Sequence, residues 1–150
     1  MTAQEKKQVL ISGDFMVKLR IGVVGYSTNV DETKALELIV DAFDKINAEH
    51  PEEKEVVSGF TDIGISAIAY REAKRRKWRT VGIACKKAFK HPCYVVDDYK
   101  IIGENWGDES KTFLDSIDVL VRVGGGNQAM KETEEFKKTG KPVYEYELQV

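Results

Sequence analysis

The chain has 150 residues, 42% of them hydrophobic, with 23 basic and 25 acidic side chains and a net charge of −2. That is enough apolar material for one compact core and too little length for two comfortable domains. No apolar run approaches the roughly 18 residues of a membrane span, and the charge balance lacks the positive field of a general nucleic-acid binder.

Met1 to Lys7 is polar and carries no signal-peptide core, so a soluble, cytoplasmic protein is expected, with neither a membrane nor a nucleic acid as partner. Two cysteines, Cys85 and Cys93, are too few for a disulfide framework and read as reduced thiols. Residues 1–17 read as an N-terminal extension, or as an added edge strand through Gln8-Val9-Leu10-Ile11, and residues 18–150 as a single domain.

From Arg20 onward a short apolar run, a glycine-containing turn and a stretch of helical spacing recur, which is the pattern of βαβ units. The first run, Arg20 to Gly25, ends in Tyr26-Ser27-Thr28-Asn29. Asn29 or Asp31 can then cap a helix whose apolar positions are Ala35, Leu38, Ile39, Ala42, Phe43 and Ile46, stopped by His50-Pro51. The second run, Glu55 to Gly59, leads through Phe60-Thr61-Asp62-Ile63-Gly64 into a helix carrying Ile65, Ile68, Ala69 and Ala73 and closed by Lys74-Arg75-Arg76-Lys77. Thr80 to Cys85 is a third strand. Tyr94-Val95-Val96, with a continuation toward Ile102, is a fourth, and Ile117 to Val123 a fifth. A last helix follows, and then a short strand over Pro142 to Tyr146.

Runs apolar on both faces, such as Ile21 to Val24 and Val119 to Val123, suit strands covered by helices on two sides. The expected fold is therefore a single Rossmann-like α/β domain, with a doubly wound, mostly parallel sheet flanked by helices. Ligands in such sheets bind at the carboxyl ends of the strands. Three loops fall there: Gly25-Tyr26-Ser27, Gly59-Phe60-Thr61-Asp62, and Gly124-Gly125-Gly126-Asn127-Gln128.

Three glycines between a buried strand and a helix leave backbone N–H groups open to an anion, with no Cβ in the way. Asn127 and Gln128 add uncharged donors. The expected ligand is a phosphate-bearing, nucleotide-like small molecule. Gly22-Val23-Val24-Gly25 lacks the G-x-G-x-x-G spacing, and no G-x-x-x-x-G-K-[ST] run exists, so neither a dinucleotide fingerprint nor a P-loop is present and no cofactor is expected. Cys85, His91 and Cys93 do not make a zinc set.

The pieces Val23-Val24-Gly25-Tyr26-Ser27, Val57 to Gly64, and Asp118 to Gly126 followed by Glu132 resemble, in order and spacing, the loops of the SLOG superfamily. That Rossmann-like group includes the lysine-decarboxylase-like LOG phosphoribohydrolases and molybdenum-cofactor carrier proteins, and the resemblance covers about residues 19 to 146. It implies the fold just described, binding of a nucleoside monophosphate or an ADP-ribose relative, and a homodimer or higher homo-oligomer. In the LOG branch the last loop reads G-G-x-G-T-x-x-E, and its glutamate acts in cleaving the N-glycosidic bond of a nucleoside 5′-monophosphate. Here the leading glycines fall on Gly125 and Gly126 and the glutamate on Glu132, whereas the glycine-threonine pair falls on Gln128-Ala129. The arginine of the preceding helix falls near Glu109, with Lys111 the nearest cation. The resemblance thus implies holding a nucleotide more strongly than cutting one, with Glu132 the candidate catalytic residue if cutting occurs.

Each site residue also has a plainer reading. Ser27, Thr28, Thr61 and Asp62 are residue types that cap helices, and Glu132 suits the first turns of a helix with or without a ligand. Asp62 can otherwise accept from a ribose or base, and Tyr26 can stack on a base or pack on a neighbouring loop. Arg71 is placed where a helix leaving the second loop brings it toward the site. The basic run up to Arg79, interleaved with Trp78, has the composition of a single-stranded DNA patch, but equally that of an ordinary helix end followed by a core aromatic.

Overall fold

The computed structural model describes residues 18–149, so the edge strand expected at Gln8 to Ile11 lies outside the described residues. Six strands form one sheet: β1 (Lys18–Gly25), β2 (Glu53–Ser58), β3 (Arg79–Ala84), β4 (Asp98–Ile101), β5 (Val119–Val123) and β6 (Val143–Tyr146). Their spatial order is β4-β3-β2-β1-β5-β6. All five pairings between the strands of the sheet are parallel, which sharpens the expected mostly parallel sheet to a fully parallel one. The chain starts at the centre, runs outward to β4, then returns past β1 to build β5 and β6. The strand order therefore reverses between β1 and β5, the switch point at which a doubly wound sheet opens a crevice.

Helices α1 (Glu32–Glu49), α2 (Gly64–Arg75), α3 (Ser110–Ser116) and α4 (Asn127–Lys137) cover the sheet. Strand alternation sorts the core into two layers. Leu19, Ile21 and Val23 of β1, Val56 of β2 and Val119, Val121 and Val123 of β5 pack with Ile39, Phe43 and Ile46 of α1 and Ile65, Ile68 and Tyr70 of α2. On the other face Val57 and Leu120 meet Phe113 of α3, the adjoining Ile117 and Phe136 of α4. Ile21, Ile39, Phe43 and Ile46 are fully buried, each worth about 1.5–3 kcal/mol of transfer free energy. Gly22 is what lets α3 approach: a Cβ there would lie 2.5 Å from Ile117 Cδ1 and 2.9 Å from Phe113 Cζ.

Asp31, not Asn29, caps α1, its carboxylate accepting from the Lys34 N–H at 3.1 Å. The fourth strand departs from expectation. Tyr94, Val95 and Val96 are not in the sheet, and β4 is the continuation Asp98–Ile101. The apolar run has another use: the Tyr94 ring packs 5.1 Å from that of Tyr70, and the Tyr94 N–H donates to the Phe60 carbonyl. Asp97 then turns the chain, accepting from the Thr80 N–H at 2.8 Å.

Two arginines of the basic run are engaged within the fold. Arg75 and Arg76 both bond buried Glu72 at 2.6 Å, and Arg76 also reaches Asp44 at 2.7 Å. The Arg76 guanidinium lies 5.1 Å over Trp78, whose ring packs 5.3 Å from that of Phe43. Among the described residues no helix is long and apolar enough to cross a membrane.

Candidate functional site

At the carboxyl ends of β1, β2 and β5 the structure opens a cavity of about 670 Å³, within the usual 300–1,000 Å³ of small-molecule sites. Gly25, Tyr26 and Ser27 line it from the first loop, Gly59 and Thr61 from the second, and Gly126, Asn127, Gln128 and Glu132 from the third. The three loops expected to converge do so.

The glycine turn divides its work. Gly124 (φ +61°) and Gly125 (φ +115°) hold backbone conformations that suit glycine, and neither lines the cavity. The Gly124 N–H donates to the Tyr146 carbonyl at 2.8 Å, and its own carbonyl accepts from Arg122 Nη1 at 3.0 Å. The expectation that Gly124 offers a donor to phosphate is therefore corrected: β6 has taken that donor. Arg122 is buried and also bonds Glu145 and Glu147, so a fixed guanidinium sits behind the turn.

Gly126 begins α4 without any side-chain cap. Among the described residues the N–H groups of Gly126, Asn127, Gln128 and Ala129 have no acceptor, the first bond of the helix being Met130 N–H to Gly126 carbonyl. These are the orphan donors of a helix start, and the macrodipole adds positive potential there. Ala129 is buried, and a Cβ on Gly125 would lie 2.6 Å from its methyl.

The second loop is held from behind. Ser58 Oγ donates to the Val23 carbonyl at 2.7 Å and lies 2.8 Å from Ser66 Oγ, which in turn accepts from the Gly59 N–H at 3.3 Å. Phe60 sits at φ +74°, strained for a residue with a side chain, and is fixed by the Tyr70 hydroxyl, which accepts from the Phe60 N–H at 3.0 Å and donates to the Val81 carbonyl at 2.9 Å. Burial pushes the Tyr70 phenol well up, so it stays a donor. Thr61 is buried and bridges to Cys93.

Asp62 and Arg71 fall outside the cavity. They are half exposed, with Arg71 3.9 Å from Asp62 and 3.6 Å from Glu32. Asp62 caps no helix, since the N-cap of α2 is Ile63 and no side chain caps that helix.

Glu109 is the residue that sequence reasoning did not place in the site. It is 4% exposed and lines the cavity. Its Oε1 accepts from the Gly107 N–H at 2.8 Å and its Oε2 from Gln128 Nε2 at 3.0 Å. Gln128 Nε2 also lies 3.4 Å from Glu132 Oε2, which accepts from Ser110 Oγ at 2.8 Å. Burial pushes the Glu132 carboxyl up, the Ser110 and Gln128 bonds oppose this, and the neighbouring Glu109 adds to it. Lys111 lies on the surface, paired with Asp115. Among the described residues no lysine or arginine lines the cavity. Trp106 and His91 form a further wall, their rings 6.4 Å apart, and Asp108 fixes the Trp106 loop by accepting from the N–H groups of Glu104 and Asn105.

No protein-family model matches the chain, and the search of curated proteins gives no match. Solved structures do match. The molybdenum cofactor binding protein from Rippkaea orientalis superposes with a TM-score of 0.69 at 24% identity, over 89% of this chain and 79% of that one. A Moco carrier protein from Chlamydomonas reinhardtii superposes with a TM-score of 0.65 at 23% identity, over 87% and 76%. The likeness shows the fold, and it is the fold that the three-loop resemblance implies.

Proposed function

We propose that the chain binds a phosphate-bearing nucleotide or nucleotide-derived small molecule in this cavity and holds it intact, as a carrier, sensor or sequestering protein. The observation that carries the reading is the uncapped start of α4, whose four acceptorless N–H groups adjoin a cavity of about 670 Å³. An anion there gains hydrogen bonds and dipole potential without needing a lysine or arginine. Ser27 and Thr61 add hydroxyl donors along the rim, and Tyr26 and Trp106 are the aromatic faces available to a heterocycle. Two structures of the same fold are named for binding or carrying the molybdenum cofactor, which supports holding over cutting.

The hydrolase reading is favoured by one observation, the buried Glu132 carboxyl, whose proton affinity is raised as a general acid requires. Against it stand the lack of a lysine or arginine among the described residues lining the cavity and the hydrogen bonds that engage Glu132 with Ser110 and Gln128. The two part in a direct experiment. Incubated with a nucleoside 5′-monophosphate such as AMP, the protein should bind it and release it unchanged, as read by calorimetry and by chromatography of the supernatant. Free base and ribose 5-phosphate, formed by the wild type and lost in Glu132→Gln, would replace this reading by the hydrolase.

A further inference from the structure

We infer that β4 is the contact between two copies of this chain, which pair antiparallel along its open edge with Tyr99 opposite the partner's Tyr99, so that one sheet runs through both protomers. Among the described residues β4 has a strand on one side only, β3. Asp98, Tyr99 and Lys100 are all exposed. The even-numbered residues of β3 face this strand, Thr80 and Ala84 accepting from the N–H groups of Asp97 and Ile102, and with Tyr99 in register with Gly82 this leaves both backbone groups of Tyr99 on the open side. Its N–H donates to the carboxylate of Asp98 at 2.8 Å, a stopper from its own strand.

The strand is its own complement in charge. Antiparallel pairing about Tyr99 sets Asp98 opposite the partner's Lys100 and Lys100 opposite the partner's Asp98, so a two-fold axis makes the attractive contact twice. Parallel pairing in register would set like against like. On pairing, Asp98 gives up the Tyr99 N–H to the carbonyl of the partner's Tyr99 and takes the partner's Lys100 in exchange. Large apolar side chains also collect at this edge: Phe89, Val95 and Tyr99 are 57%, 91% and 53% exposed. Tyr99 stacks on buried Phe60 with ring centroids 4.7 Å apart, and Phe89 meets the same ring edge-on at 5.8 Å, so aromatic packing continues from the core out to the surface. Scattered charge on a short strand keeps an edge unpaired, but charge in matched order beside a clustered apolar patch suits an isologous contact.

The test is analytical ultracentrifugation of the full chain over a concentration series, with hydrogen exchange read at the Tyr99 and Ile101 amides. The wild type should dimerise reversibly, and both amides should exchange more slowly in the dimer. Lys100→Asp and Asp98→Lys each turn two attractions into two repulsions, so each should raise the dissociation constant at least about ten-fold. The double variant Asp98→Lys with Lys100→Asp restores the matched order and should dimerise again, a rescue that mere misfolding would not show. A wild type that stays monomeric at every concentration overturns the assignment, as does a dimer that neither single reversal weakens, whose contact lies on another surface. A monomer that dimerises only after Leu10→Asp gives the edge to Gln8 to Ile11 of the same chain, and overturns it too.

Discussion

The Glu109 carboxylate accepts from the Gln128 amide at 3.0 Å, joining the loop before α3 to the first turn of α4 across the floor of the cavity. Through that bond Glu109 and Gln128 act as one unit. A neutral amide thus lies between two buried acids, 3.0 Å from Glu109 and 3.4 Å from Glu132.

Stability should respond to pH through Glu132. Burial raises its folded carboxyl above the unfolded value, so between those two values the folded chain binds more protons than the unfolded one. This contribution is therefore lost as pH rises from the ordinary glutamate range through the raised folded value. Replacing Glu132 by Gln removes that loss, and the variant should gain on the wild type as denaturant midpoints are taken upward from pH 4, levelling off once the raised folded value is passed. A difference that stays flat across this range would contradict a buried, titrating Glu132.

Two neighbouring glycines should behave oppositely. At Gly125, φ +115° and the Ala129 methyl 2.6 Å from an added Cβ make Gly125→Ala destabilising by about 1–3 kcal/mol. At Gly126 an added Cβ meets nothing within 4 Å, so Gly126→Ala should stay within about 0.5 kcal/mol of wild type in urea unfolding. Its methyl enters the space an anion would use, so affinity for phosphate esters should drop although the fold is intact.

Arg122→Met tests the support behind the turn. The side chain is 3% exposed and its loss leaves the Gly124 carbonyl without that donor, while Glu145 keeps Lys137 as a partner. A cost of about 1–3 kcal/mol is expected in urea unfolding, held to that range because Glu147 lies mostly in water. Phosphate-ester affinity should fall more than affinity for the free nucleoside.

Tyr70→Phe removes the hydroxyl that joins the Phe60 N–H to the Val81 carbonyl. Two backbone groups lose their partner and Phe60 loses the bond that fixes its positive φ, so about 1–3 kcal/mol should disappear from the unfolding free energy. Amide hydrogen exchange should quicken around Phe60 before it does in β1.

Much of this architecture was legible in the sequence because the signals were local. Doubly apolar runs gave a covered parallel sheet, and glycines at strand ends gave the three loops. Tyr94-Val95-Val96 misled because an apolar run can half-bury some side chains, Tyr94 and Val96 here, and leave another, Val95, in water while its backbone bonds a loop instead of a strand. Asp62 and Glu109 could not be ranked for the same reason: whether an acid faces Arg71 and water or a closed cavity depends on packing between segments far apart in the chain. Nor does any periodic pattern mark Trp106, whose placement depends on Asp108 folding a short loop back on itself. The taking of Gly124 by Tyr146 is a pairing across twenty-two residues that no motif announces.

That last pairing bears on when the site comes into being. A growing chain that has emerged only as far as Lys137 already contains the whole glycine turn and the helix it starts, but lacks Tyr146 to fasten it and Glu145 to steady Arg122. On the proposed reading, the glycine turn takes its fixed shape only once Tyr146 has been made and β6 has docked beside β5.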